Sequence, residues 1–332
     1  MSSSDTYTIA AWNNTSAAVN RYFSIFIFLF GTIGNILNIL VLSQRPLRTN
    51  SCSLFFLISS IANLIAIVSG LTTRMLSGWT LDLTNTISLL CKLRAFALFV
   101  SRNIASWLIM LAAIDRWLIS SRNARRRELS TLKNAYRGIM ITIIFSIILY
   151  SPVFYCHEAN LINAPLKCYS QTIPCRLLND LSYACLTILF PMIFMLIFGL
   201  MTIHNINKVK NRIYGTSIIE LKPMGNTSIL EQPTQSSKKK LDSRLFFMLF
   251  IQIILLSLCT LPQAIQKLYS TLLSNDGKTQ LRIAIENFIF NLFLLMTYFA
   301  HGMPFYIYTL SGGTVFRNAL KHYIEKIYHR FF

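Results

Sequence analysis

Apolar residues in this chain do not recur at the spacing of an ordinary surface helix. They gather in seven long runs separated by polar and charged stretches. The runs fall near 22–42, 53–76, 93–119, 138–154, 181–203, 245–265 and 283–310. A helix of about 20 largely apolar residues crosses roughly 30 Å of hydrocarbon, and each run approaches or meets that length. Backbone amides and carbonyls find no water in lipid, so each run is predicted to be a helix; the alternating ten-residue segments of a barrel are not seen. The pattern predicts an all-α membrane protein. A polar stretch, 1–21, precedes a seven-helix domain, 22–310, and a loop at 207–244 divides its fifth and sixth spans. Pro223, Pro233, Ser236, Ser237 and the run Lys238-Lys239-Lys240 make that loop read as flexible. Past 310, Gly312-Gly313 ends the last helix. Phe316, Leu320, Tyr323, Ile324 and Ile327 then recur at helical spacing among Arg317, Lys321 and Lys326. A short amphipathic helix along the inner membrane face, within 311–332, is expected there, with a helix packed on another protein as the alternative.

Composition removes the soluble reading: 54% of residues are hydrophobic and 13% charged, against about 25% charged in soluble domains. The net charge of +19 raises the question of nucleic acid. The basic residues, however, lie between the apolar runs and form no continuous patch, so no nucleic-acid partner is expected. With the N-terminus outside, 21 of the 31 Lys and Arg fall in cytoplasmic segments, which agrees with the positive-inside rule and an odd number of spans. The expected location is the plasma membrane, multi-pass, with an extracellular N-terminus and the lipid bilayer as a partner. Asn13-Asn14-Thr15-Ser16 holds overlapping glycosylation acceptors at Asn13 and Asn14 that suit this placement, although Asn226-Thr227-Ser228 is a third triplet on the inner side. Residues 1–21 lack the pattern of a cleaved signal peptide, so the first span is expected to serve as its own insertion signal.

Seven cysteines are present. Cys52, Cys156, Cys185 and Cys259 lie in or beside apolar runs, where a free thiol behaves as a small hydrophobe, leaving Cys91, Cys168 and Cys175 as disulfide candidates.

Several residues carry a more specific pattern. Gly34-Asn35 stands in the first run, and Asn63 follows 28 residues later. Cys91 opens the third run, and Arg116 of Asp115-Arg116-Trp117 comes 25 residues on. Pro191, the stretch Cys259-Thr260-Leu261-Pro262, and Pro304 to Tyr308 mark the last three runs. Over nearly its whole length the chain resembles a rhodopsin-like G-protein-coupled receptor, and within that class the invertebrate neuropeptide receptors.

The resemblance implies roles. Asp115 would hold Arg116 at rest, and Arg116, with Trp117 and Tyr308, would meet a heterotrimeric G-protein when the sixth span swings outward. Asp242, 20 residues before Pro262, would close a second bridge to Arg116. Charges are expensive within spans, which gives the Asp115-Arg116 pair a physical reason to be functional. Asn35 and Asn63 would pack the bundle, and Pro191, Pro262 and Pro304 would act as hinges, since proline removes a ladder hydrogen bond. Cys91 would bond Cys168, with Cys175 as the competing partner.

Departures from the family pattern are equally specific. Asn63 replaces an aspartate, Ala105 a serine, Thr260 a tryptophan and Gly199 a tyrosine; Met303 precedes Pro304 where Asn or Asp is usual, and Tyr308 lies one residue late. Weak sodium regulation is expected. Leu98 stands where amine receptors carry an aspartate, and 287–316 holds no lysine for a retinal Schiff base, so amine and photoreceptor readings are disfavoured. Arg102 is the ionisable residue expected mid-membrane, at a cost of roughly 2.5 to 3.5 kcal/mol if unpaired. Two readings stand side by side: with Arg94 it receives an acidic or carbonyl-rich part of a peptide ligand, or it is satisfied internally by Glu286, Asn103, Asn287 and Asn291.

No nucleophile–base pair, metal-ligand cluster or phosphate loop is legible, so neither an enzyme nor a metal or other cofactor is expected. The expected function is transduction of an extracellular ligand, a neuropeptide, into G-protein activation. A polytopic transporter or channel, or a non-signalling receptor-like membrane protein, is the alternative.

Overall fold

The apolar runs are helices in the computed structural model, which describes residues 3–77, 82–161, 167–219, 233–272, 279–311, 316–318, 320, 321 and 325. Among the described residues seven helices are long and apolar enough to cross a membrane. They are α1 Ser3–Leu42, α2 Ser51–Ser77, α3 Ser88–Ser120, α4 Leu132–Tyr150, α5, α6 Pro233–Leu272 and α7 Gln280–Gly302. α5 starts as Ile173–Leu181, widens into a π-helical stretch at Ser182–Leu189 and continues as Phe190–Ile219. A short α8, Pro304–Ser311, follows α7.

α3 is the central post, packed against α2, α4 and α5, while α1 lies against α2 and α7, and α6 against α7 and the π-helical stretch of α5. The burial pattern is that of a protein solvated by lipid. Ser59, Ser60, Asn63, Ser101, Asn103 and Ser106 are buried, whereas Ile141, Ile144 and Ile148 of α4 and Ile193, Ile197 and Leu200 of α5 are exposed. With hydrocarbon outside, close packing and internal hydrogen bonds hold such a bundle. Asn103 shows how: its Nδ2 donates to Ser146 Oγ on α4 (2.8 Å), and Thr187 Oγ1 on α5 donates to its Oδ1 (2.9 Å). α1 and α7 approach backbone to backbone, so a Cβ at Gly302 would lie 2.9 Å from the Gly31 Cα.

Four boundaries differ from expectation. α1 begins at Ser3, so Asn13 and Asn14 sit exposed on a helix and not on a polar tail. α5 begins at Ile173, eight residues before the predicted span, because Thr172 Oγ1 accepts from the Cys175 amide (3.4 Å) and Pro174 in the first turn needs no amide partner. In the stretch 207–244, expected to be a flexible loop, the described residues are helical: α5 reaches Ile219 and α6 starts at Pro233. The seventh run divides at Pro304, whose ring nitrogen cannot donate to the ladder. Beyond it, residues 316–318, 320 and 321 are helical, and Phe316 and Leu320 pack into the core of the bundle around Phe305 and Tyr308.

The end bearing the α2–α3 and α4–α5 connections carries a small antiparallel ribbon, β1 His157–Glu158 and β2 Tyr169–Ser170. Cys168, just before β2, is bonded to Cys91 of α3. Cys175 does not compete for Cys91; it is bonded to Cys156, so Cys156 is not the free thiol expected from its apolar neighbours. The ribbon is thus tied to α3 and also closed on itself between the ends of α4 and α5. Cys52, Cys185 and Cys259 form no disulfide, as expected.

Candidate functional site

α3 carries chemistry at two levels. Arg102 and Arg116 are 14 residues apart, about 21 Å along a helix.

At the Arg116 level the side chains of Asp115 and Arg116 are 6% and 2% exposed. Arg116 Nη2 donates to Asp115 Oδ2 (2.8 Å) and to Asn50 Oδ1 (3.2 Å). Asn50 also caps α2, its Oδ1 accepting from the Cys52 amide (3.0 Å). Asp115 Oδ1 accepts from Ser51 Oγ (2.7 Å) and from Ser130 Oγ (2.5 Å). A buried ion pair must have its remaining lone pairs satisfied to persist, and here two hydroxyls from outside α3 do so. Trp117 packs against Phe198 and under the Arg126 guanidinium. Tyr308 Oη donates to Gln252 Oε1 of α6 (2.5 Å), and its ring packs on Phe56 of α2. Asp242 lies on α6, but its side chain is outside the described residues, so the second bridge to Arg116 falls there too.

Between the two levels, Asn63 meets a partner that sequence reasoning missed. His301 Nδ1 on α7 lies 2.9 Å from Asn63 Oδ1, an oxygen that can only accept. Asn35 Nδ2 donates to the His301 carbonyl (3.1 Å) and to the Gly31 carbonyl (2.8 Å). The two asparagines and the histidine lock α1, α2 and α7 together. Pro262 stands inside α6, Pro191 follows the π-helical stretch, and Pro304 starts α8.

Toward the Cys91 end, the bundle opens into a cavity lined by Arg74, Arg94, Leu98, Arg102, Lys267 and Tyr298, among others. Arg102, 2% exposed, donates from Nη1 to Tyr183 Oη (2.9 Å) and lies 4.2 Å over the Tyr298 ring. Among the described residues its Nε and Nη2 have no hydrogen-bond partner. Glu286 is not that partner: it accepts from Arg282 Nε (3.0 Å) and Tyr269 Oη (3.1 Å). Nor are the asparagines. Asn103 bonds α4 and α5, Asn291 Oδ1 accepts from Arg74 Nη1 (3.0 Å), and Asn287 lines a separate cavity beside Glu286. Arg94 Nε donates to the Ser69 carbonyl (3.1 Å) and Nη1 to Thr84 Oγ1 (3.4 Å).

Arg102 is also not the one ionisable group deep in the bundle. Lys267 on α6 donates from Nζ to Asp180 Oδ1 on α5 (2.5 Å), both side chains buried, and Lys267 lies 5.0 Å from the Tyr183 ring centroid. A lysine five residues after Pro262, just past the end of the sixth apolar run, was the available signal. His157, in β1, lines the same cavity. Burial, and next the Lys267 charge, lower its pKa to about 4, so it is neutral at neutral pH.

Comparison with known proteins agrees with this geometry. The sequence model of the family described as 7 transmembrane receptor (rhodopsin family) matches residues 34–320. The human galanin receptor type 2 is 27% identical over 187 residues, 55% of this chain and 47% of that receptor. Its rat counterpart is 27% identical over the same share of this chain and 49% of its own length, and the zebrafish galanin receptor 2b is 30% identical over 42% of this chain and 37% of its own. These matches span about half or less of those relatives. With the family match running from α1 to the residues beyond α8, the chain belongs to the rhodopsin family of seven-transmembrane receptors.

Proposed function

We propose that this protein is a G-protein-coupled receptor of the plasma membrane, with the Cys91 end and the glycosylation acceptors Asn13 and Asn14 outside and the Arg116 end in the cytoplasm. A peptide ligand enters the cavity around Arg94, Leu98 and Arg102 and shifts the helix equilibrium. Arg116, Trp117 and Tyr308 then present a docking surface to a heterotrimeric G-protein. The observation that carries this reading is the buried Asp115–Arg116 pair, held by Asn50, Ser51 and Ser130 from neighbouring elements. An arginine kept in place by so many groups is a local two-state element: breaking one set of charge-assisted bonds frees it for another. The second contribution is Tyr308, which ties α8 to α6 through Gln252, the helix that must move for the Arg116 end to open. Resemblance to galanin receptors favours a peptide ligand over an amine or a lipid.

The test is a resonance-energy assay of G-protein subunit dissociation in cells expressing the chain, screened with a neuropeptide library. The reading requires at least one peptide to drive dissociation in wild type and not in Arg116→Gln at equal surface expression. Uptake of a solute that survives Arg116→Gln, with no G-protein response, would instead support a transporter.

A further inference from the structure

The cavity at the Cys91 end is unusual in its charge. Three arginines and one lysine line it. Lys267 is neutralised by Asp180. Arg74 donates to the side-chain oxygens of Asn20 and Asn291, and Arg94 to a carbonyl and a hydroxyl, with the Asp82 carboxylate in its field. Arg102 sits deepest: a hydroxyl takes one of its amino groups, the Tyr298 ring covers its face, and Nε and Nη2 are buried without a hydrogen-bond partner among the described residues. Nε and Nη2 form one edge of the guanidinium fork, the pair of donors whose spacing matches the two oxygens of a carboxylate. The arginines also repel one another across the cavity, which adds a uniform preference for negative charge to that local geometry.

We infer that the ligand presents a carboxylate to Arg102, which grips it through the Nε–Nη2 edge while Arg74 and Arg94 supply the surrounding positive field. This inference rests on the receptor reading above and names the ligand chemistry of its cavity. Tyr298 and Tyr183 hold the guanidinium from its face and its opposite side, so little side-chain freedom is lost on binding. A neutral carbonyl would satisfy one donor and leave the repulsion in place. Two sources supply the same chemistry in a peptide: its free C-terminus, or an Asp or Glu side chain.

The experiment uses the full chain in lipid nanodiscs and reads the melting temperature, which needs no G-protein. Four pools of random pentapeptides are added: C-terminus free or amidated, each with or without Asp and Glu. Pools that carry a carboxylate are expected to stabilise the receptor at concentrations roughly tenfold or more below those the wholly neutral pool needs. If amidation alone removes the effect, the terminus is the source; if amidated pools with Asp and Glu retain it, the side chain is. Arg102→Gln should abolish the carboxylate preference, and Arg102→Lys, which keeps the charge but not the fork, should keep part of it. Arg94→Gln, farther from the fork, should weaken the preference without abolishing it, which keeps the test open if Arg102→Gln fails to fold. A neutral pool that stabilises as well as the others, no shift from any pool, or a carboxylate preference unchanged in these variants overturns the inference. None of these results bears on coupling at Arg116, which the dissociation assay tests separately.

Discussion

Lys267 of α6 and Asp180 of α5 form a buried ion pair of 2.5 Å beside the cavity, so the part of the sixth helix nearer the Cys91 end is held to the fifth by charge and not by packing alone. Tyr169 Oη, in β2, also donates to Asp180 (3.4 Å), which brings the ribbon into the same cluster. Removing one member of such a pair strands the other. Asp180→Asn is expected to cost about 3 to 5 kcal/mol, and the double variant Asp180→Asn with Lys267→Met to recover much of it. Thermal unfolding of the two variants in nanodiscs checks this; equal losses in the single and double variants would mean the pair is not coupled.

His157 gives the stability a defined dependence on pH. Its pKa falls from the ordinary 6.5 to about 4 because burial disfavours the imidazolium and Lys267 repels it. Between those values the unfolded chain takes up a proton that the folded chain refuses. Stability is therefore lost as pH falls from about 6.5 to about 4, by on the order of 3 kcal/mol, and this group contributes no slope above 6.5. His157→Phe should flatten that branch of a melting-temperature curve against pH, and an unchanged slope would contradict the assignment.

Gly70 makes room for the ring beneath Arg102. A Cβ there would overlap the Tyr298 hydroxyl and ring, which must push Tyr298 off the guanidinium. Gly70→Ala is expected to cost about 1 to 3 kcal/mol and to weaken peptide binding. Gly199→Ala, whose Cβ meets nothing within 4 Å, is the matched control and should leave binding unchanged. Equal behaviour of the two variants in a binding assay would argue against Tyr298 as the seat of Arg102.

Sodium should matter little. Asn63, where the family usually has a carboxylate, has its side-chain oxygen engaged by His301, and neither group supplies the negative charge a buried cation needs. Melting curves in sodium chloride and in choline chloride at equal ionic strength should superimpose. A specific stabilisation by sodium would show that a site persists.

Helix number and order could be read from the chain because hydrocarbon imposes one solution on each apolar run. Helix ends were harder to read. The α5 start depends on a local cap, Thr172 with Pro174, that sits in a polar stretch with no apolar signal. The stretch after α5 looked flexible by composition, yet its described residues, up to Ile219 and from Pro233 on, are helical, since Lys and Ser do not forbid a helix. Asp115, Arg116, Tyr308, Asn35 and Asn63 were singled out by resemblance to the family pattern, with Tyr308 one residue out of step with it. Partners set by three-dimensional proximity were not legible. One of the two readings of Arg102 gave it Glu286 or nearby asparagines as partners, and it instead meets Tyr183 and Tyr298; Cys156 looked like a core thiol until α4 and α5 brought it beside Cys175.

The claim on which the account turns is that Asp115 restrains Arg116, and the most direct measurement is basal nucleotide exchange on purified heterotrimeric G-proteins by the nanodisc-embedded receptor without ligand. Neutralising the clamp with Asp115→Asn should raise the basal rate severalfold over wild type, roughly 1 kcal/mol of restraint released, and Arg116→Gln should reduce it to that of empty nanodiscs. Rates for all three that match empty nanodiscs with every class of G-protein α-subunit, or exchange that persists in Arg116→Gln, would contradict it.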